Sequence, residues 1–235
     1  MTGKLTTTVA LGVLTLGVLL ATARQAPARD VKTPYPTMAP IEQYRMDRSA
    51  EIALALTAAP ESISRDAEVM VLGQHGYETA VKGKNGFVCV VLRSWTAGID
   101  DPVFWNPKIR GAACFNPPAA QSYLPIVLKK TELILAGRSK AQVFESIKDA
   151  FDKKELTTQK PGAMCYMLSK QQYVSDGDPH WHPHLMFFVP QTEAVTWGAD
   201  LPGSPIIAAA DAEDRLTVFM VPVTRWSDGT AAPAY

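Results

Sequence analysis

The chain has 235 residues, 47% hydrophobic and 20% charged, an ordinary globular usage that excludes disorder, a collagen repeat and a disulfide-dense miniprotein. Twenty-three Lys and Arg balance 23 Asp and Glu, and a neutral chain lacks the basic footprint of a general nucleic-acid binder.

At the N-terminus, Lys4 precedes an apolar run from Val9 to Leu20, followed by Ala21-Thr22-Ala23, the small-x-small pattern of a signal-peptidase site. The run is short of the ~20 residues a membrane-spanning helix needs. Residues 1–23 therefore read as a signal peptide, with an uncleaved anchor as the alternative. Removal leaves 235 − 23 = 212 residues, ample for a core, with no stable membrane insertion expected afterwards. The expected location is periplasmic or secreted. Residues 24–40 hold Pro27, Pro34, Pro36 and Pro40 without a periodic apolar face and read as a linker or strapped-on arm. A single domain is expected over 41–235.

The first helix expected is Ile41 to Ala58, with Pro60 beyond its end. Three β-prone runs follow, Ala67 to Leu72, Tyr77 to Lys82 and Phe87 to Ser94, separated by Gly73-Gln74-His75-Gly76 and Gly83-Lys84-Asn85-Gly86. Two strong turn signals in succession predict an antiparallel three-stranded meander. From Trp95 to Pro118, aromatic residues Trp95, Phe104, Trp105 and Phe115 stand among Pro102, Pro107, Pro117 and Pro118 with neither helical nor strand period. So long a loop is uncommon in a compact domain. It reads as an Ω-like cover pinned by its aromatic rings, or as a pocket wall that uses their faces.

Asn116 with Pro117 starts a short helical turn, and a helix is expected over Pro125 to Ala136, closed by Gly137. Ser139 and Gln142 have capping-box spacing, and Val143, Ile147, Ala150 and Phe151 recur at helical spacing behind them. The opposite face, with Glu145, Lys148, Asp149 and Asp152, reads as a solvated surface. Strands are expected again at Ala163 to Ser169, His184 to Val189, Pro205 to Ala210 and Leu216 to Val221, with a helical turn over Thr192 to Trp197. The predicted class is α+β: a mainly antiparallel sheet, an N-terminal helix and a central helix pair.

Phosphate-loop, dinucleotide, Gly-x-Ser-x-Gly and His-Glu-x-x-His patterns are missing. What stands out is the segment Asp178-Pro179-His180-Trp181-His182-Pro183-His184, which holds three of the four histidines. Imidazole is the commonest transition-metal ligand. On a strand, residues two apart share a face and start roughly 7 Å apart, near enough for one ion. Residues four apart start about 13 Å apart, so a third ligand requires a bend, which Pro183 could supply. His180, His182 and His184 are thus candidate ligands for a metal-binding protein or a metalloenzyme. His75, Asp176, Asp178 and Glu78 are possible completing or supporting residues. Zn²⁺ suits such a set best, with copper or iron as alternatives, copper the more so if Met164, Met167 or Met186 faced the histidines. Competing readings are a proline-flanked surface edge and a metal-free protein that binds a small molecule or partner through loop 95–118. Cys89, Cys114 and Cys165 allow one internal disulfide in an oxidising compartment, with three possible pairings.

Overall fold

Asp47 divides the helix expected over 41–58 in this computed structural model. Its carboxylate accepts hydrogen bonds from the backbone N–H groups of Ser49 and Ala50 and caps α1, Arg48–Leu56, while Ile41–Tyr44 forms a separate 3₁₀ turn. The structure describes residues 34–177 and 182–233. The expected signal peptide lies outside them, as do Asp178 and His180.

The remaining helices are α2 (Glu61–Ser64), α3 (Pro117–Ser122), α4 (Leu124–Leu135) and α5 (Lys140–Asp152). The Asn116 side chain accepts from Ala119 N–H at 3.0 Å and starts α3. Gly137, at φ +75°, stands just beyond α4 in the left-handed conformation that glycine adopts without strain. Both halves of the Ser139–Gln142 capping box are formed at α5.

The strands are β1 (Glu68–Leu72), β2 (Tyr77–Val81), β3 (Val88–Leu92), β4 (Gly111–Phe115), β5 (Met164–Met167), β6 (His184–Pro190), β7 (Ile207–Asp211) and β8 (Leu216–Pro222). They form one sheet in the order β2-β1-β3-β4-β5-β6-β8-β7. The α+β class holds, but the sheet is mixed. The meander predicted for the first three strands does not form: β1 and β2 make an antiparallel hairpin, whereas β3 lies on the other side of β1 and runs parallel to it. The cause is burial. Val88-Cys89-Val90-Val91-Leu92 is apolar throughout and takes an interior position, leaving the more polar β2 at the edge. The connection between them folds around the start of β1. Lys84 N–H donates to Asp66 O, Glu68 N–H donates to Phe87 O, and Gly83 passes so close that a Cβ there would stand 2.2 Å from Glu68 N.

A second difference is β4. Gly111-Ala112-Ala113-Cys114-Phe115 is wholly buried, inside the segment that reads as one long loop. Among the described residues, five α-helices also replace the expected N-terminal helix and central pair.

Paired residues share a face of the sheet. One face carries Val69, Cys89, Val91, Ala112 and Cys114 and packs beneath Leu54 and Ala55 of α1. The other carries Val90, Ala113, Phe115, Cys165 and Phe188 and packs against α3, α4 and α5 in the larger core. The described residues all belong to one compact unit. No helix among the described residues is long and apolar enough to cross a membrane.

Candidate functional site

The histidine segment leads into β6. His184, the first residue of that strand, pairs with Met167 and Pro222 and is only 3% exposed. Its ring Nδ1 lies 2.8 Å from the carbonyl oxygen of His182. A hydrogen bond there requires the proton on Nδ1, so this nitrogen serves the backbone. Burial pushes the imidazole down to about 4, and the bond to His182 opposes that shift only in part. His184 is therefore neutral at pH 7.

The residues expected to complete a metal site lie elsewhere or are engaged. His75 belongs to the β1–β2 turn, four strands across the sheet from β6, which at ~4.8 Å per strand is roughly 20 Å away. Glu78, at the same edge, pairs with Arg48. Asp176 is a hub of another kind. Its Oδ1 accepts from Tyr173 OH and from Lys108 Nζ at 3.3 Å; its Oδ2 accepts from Tyr35 OH and from Asn106 Nδ2 at 3.1 Å. The Tyr173 and Tyr35 hydroxyls, with Lys108 behind them, hold its carboxyl down to about 2. Met167 and Met186 pack in or against the larger core. Among the described residues, no group of three or more His, Cys, Asp or Glu side chains could hold a metal ion. That finding overturns the reading of a metal-binding protein or metalloenzyme built on His180, His182 and His184.

The cysteines are resolved by register. Cys89 of β3 stands opposite Cys114 of β4, and the two form a disulfide. Cys165 faces the larger core on the opposite side of the sheet, where burial raises its thiol far above the usual range. It is an unreactive thiol at neutral pH.

The aromatic loop also departs from the pocket-wall reading. Trp95, Phe104 and Phe115 are core residues, and Trp95 Nε1 donates to Thr131 Oγ1 at 3.0 Å. Trp105 belongs to the same core, 7% exposed, and its remaining surface lines a groove. The arm just before residue 41 forms the near wall of that groove: Tyr35, Met38 and Ala39 pack against the larger core, and Tyr44 OH donates to Trp105 O at 2.8 Å. Tyr35 is moored by Asp176, so the hub ties together the arm, loop 95–118 and the segment after β5.

Opposite the arm lies the α4–α5 turn. The groove, about 610 Å³, has Trp105, Met38 and Ile134 as apolar lining, with Arg138 and Lys140 beside them. Lys140 Nζ donates to Ile99 O at 2.9 Å and sits 4.4 Å from the Phe104 ring centroid. Burial lowers its ammonium's pKa, against the pull of Asp100 and Asp101. Arg138 is exposed, and no described residue accepts a hydrogen bond from its guanidinium. Sequence reasoning singled out loop 95–118, which supplies Trp105, but missed the arm and the α4–α5 turn that complete the groove. Its parts are proline-rich arm, loop and helix-connecting turn, which share no spacing. The sole signal was the density of aromatic residues around Trp105.

Comparison with known protein families, with curated proteins and with solved structures finds no match.

Proposed function

We propose that this is an exported binding protein that holds a small amphipathic anion, such as an aryl or acyl carboxylate, in the groove beside Trp105. The observation that carries this reading is the composition of the groove. An apolar lining of Trp105, Met38 and Ile134 adjoins two cationic side chains, in a space of about 610 Å³, within the usual range for small-molecule sites. The apolar part of a ligand lies along Met38 and the accessible edge of the Trp105 indole, above the buried Ile134, and its carboxylate meets Arg138, whose planar fork suits a bidentate contact. Lys140 is anchored on Ile99 O and adds positive charge without turning to solvent.

Export is supported by the Val9 to Leu20 run with Ala21-Thr22-Ala23, and by a disulfide, which belongs to oxidising compartments.

The test is fluorescence titration with anilinonaphthalene sulfonate, an aromatic anion, on the full folded chain and on Arg138→Glu. Saturable binding at one site per chain is expected, weakened at least tenfold by the charge reversal. Equal binding by both proteins, or none by the native one, would refute the reading.

A further inference from the structure

Lys130 lies midway along α4, and Asp214 lies in the turn between β7 and β8. Both side chains are almost fully buried, and Lys130 Nζ is 2.7 Å from Asp214 Oδ2. The pair ties the β7–β8 hairpin to the helical layer. Yet the carboxylate is only half served: Asp214 Oδ1 is buried without a hydrogen-bond partner. So is Gln159 Oε1, on the connection between α5 and β5. The two residues already touch, because Gln159 Nε2 donates to the main-chain carbonyl of Asp214 at 3.3 Å. Two acceptors on adjoining residues thus share one deficiency, a donor. Buried polar atoms are rarely left in that state.

We propose that Asp214 and Gln159 form a proton-binding latch, in which solvent supplies a proton to Asp214 Oδ1 and that hydroxyl donates to Gln159 Oε1. Oδ2 continues to accept from Lys130. Proton uptake then adds one hydrogen bond and fastens the β7–β8 turn more tightly to α4 and the α5–β5 connection.

The charges around the site favour this proton. Lys130 from α4 is the cation facing Asp214. Asp211 at the end of β7 and Glu213 of the turn add negative charge, Glu213 being held by Ile99 N–H at 3.3 Å with Asp100 nearby. Tyr123, at the start of α4, is neutral, and Arg215 points away to Asp152 of α5. Burial is the largest influence and outweighs Lys130, so the Asp214 carboxyl is pushed up to about 6. Burial works against the Lys130 ammonium as well, but Asp214 and Asp211 keep its pKa above the ordinary value. The ammonium stays charged while the carboxyl takes up its proton.

A folded-state value above the unfolded one means that the contribution is complete below about pH 4 and is lost as pH rises through 6. His184 titrates in the opposite sense over part of that range, so the comparison must be between variants rather than between pH values alone. The experiment is ¹³C-carboxyl NMR titration of the full chain, with urea unfolding of native and Asp214→Asn proteins at pH 7.5 and 4. The Asp214 signal should titrate near 6 and move to lower pH in Gln159→Leu. From pH 7.5 to 4, the folding equilibrium constant of the native protein should gain about fiftyfold over that of Asp214→Asn. A titration midpoint below 4.5 in the native chain would overturn the latch. If Gln159→Leu does not fold, the urea comparison decides: an unchanged ratio refutes the proposal.

Discussion

Opening the Cys89–Cys114 disulfide should remove a large part of the stability of this fold. The bridge closes a loop of sequence separation 25 between adjacent strands. With that loop length, the chain-entropy relation gives −2.1 − 1.5R ln 25, about −12 cal/mol/K, hence about 3.5 kcal/mol at 25 °C. Nothing offsets the loss, because both sulfurs are buried under α1 and the two thiols gain no new partners there. Set against a typical 5–15 kcal/mol for a domain, about 3.5 kcal/mol is the difference between a secure fold and a marginal one. The assay is equilibrium urea unfolding followed by tryptophan fluorescence, with and without reductant held in excess through unfolding and refolding. With a slope near 2 kcal/mol/M, the midpoint should fall by about 1.7 M. A fall below about 0.5 M would show that the bridge does not restrict the unfolded chain as argued. The result also bears on location, since a chain that depends on this bridge is served by an oxidising compartment.

Thiol titration of the denatured, unreduced protein should find one reactive thiol, Cys165, and three would mean that the bridge is not formed. Glu51→Gln should cost about 3–5 kcal/mol, because it strands the fully buried Arg93 guanidinium that Glu51 meets at 2.8 Å; a loss under 1 kcal/mol by urea unfolding would contradict this. Acid should weaken the fold through His184. Its folded value is depressed to about 4, so its contribution is present above the unfolded value of 6.5 and is lost as pH falls toward 4, about 3 kcal/mol in all. His184→Gln should flatten that limb of the pH–stability curve, and an unchanged limb would refute it. Intact-mass analysis of exported protein should place the mature N-terminus at or near Arg24, and a chain retaining residues 1–23 would end the signal-peptide reading.

Much of the helical layer was legible because its signals are local. A Ser139–Gln142 capping box, Pro117 behind Asn116 and Gly137 beyond α4 each act within a few residues, and each sits where its spacing indicates. Sheet order was less legible, because it is decided by competition between segments. The turn signal at Gly83 to Gly86 is real, but it turns the chain around β1 rather than back onto β2. Nothing local distinguishes those outcomes. The decisive term is that Val88 to Leu92 gains more from an interior place than Tyr77 to Val81 does. Strand β4 was hidden for a related reason: Gly and two Ala have weak strand propensity, and only burial on both faces makes Gly111 to Phe115 a strand.

The same distinction explains the site. The histidine segment drew attention because three imidazoles in five residues are conspicuous in one dimension, yet proximity along a chain is not convergence in space. His184 is turned into the larger core and gives Nδ1 to the His182 carbonyl. The groove is the reverse case. Tyr35, Trp105 and Lys140 are separated by 70 and 35 residues (105 − 35 and 140 − 105), so no motif joins them. What joins them is Asp176, whose carboxylate gathers Tyr35 from the arm and Asn106 from the loop. In the sequence Asp176 read as a completing or supporting residue of a metal site, because a carboxylate close to the histidine segment suits that role. Its four donors assign it to holding a groove wall in place. It follows that Tyr35→Phe should loosen the arm and weaken anion binding without touching Arg138. Arg138→Glu should weaken binding and leave the arm's resistance to proteolysis unchanged. If both variants lose binding and arm protection together, the arm and the cationic rim are not the separable parts argued here.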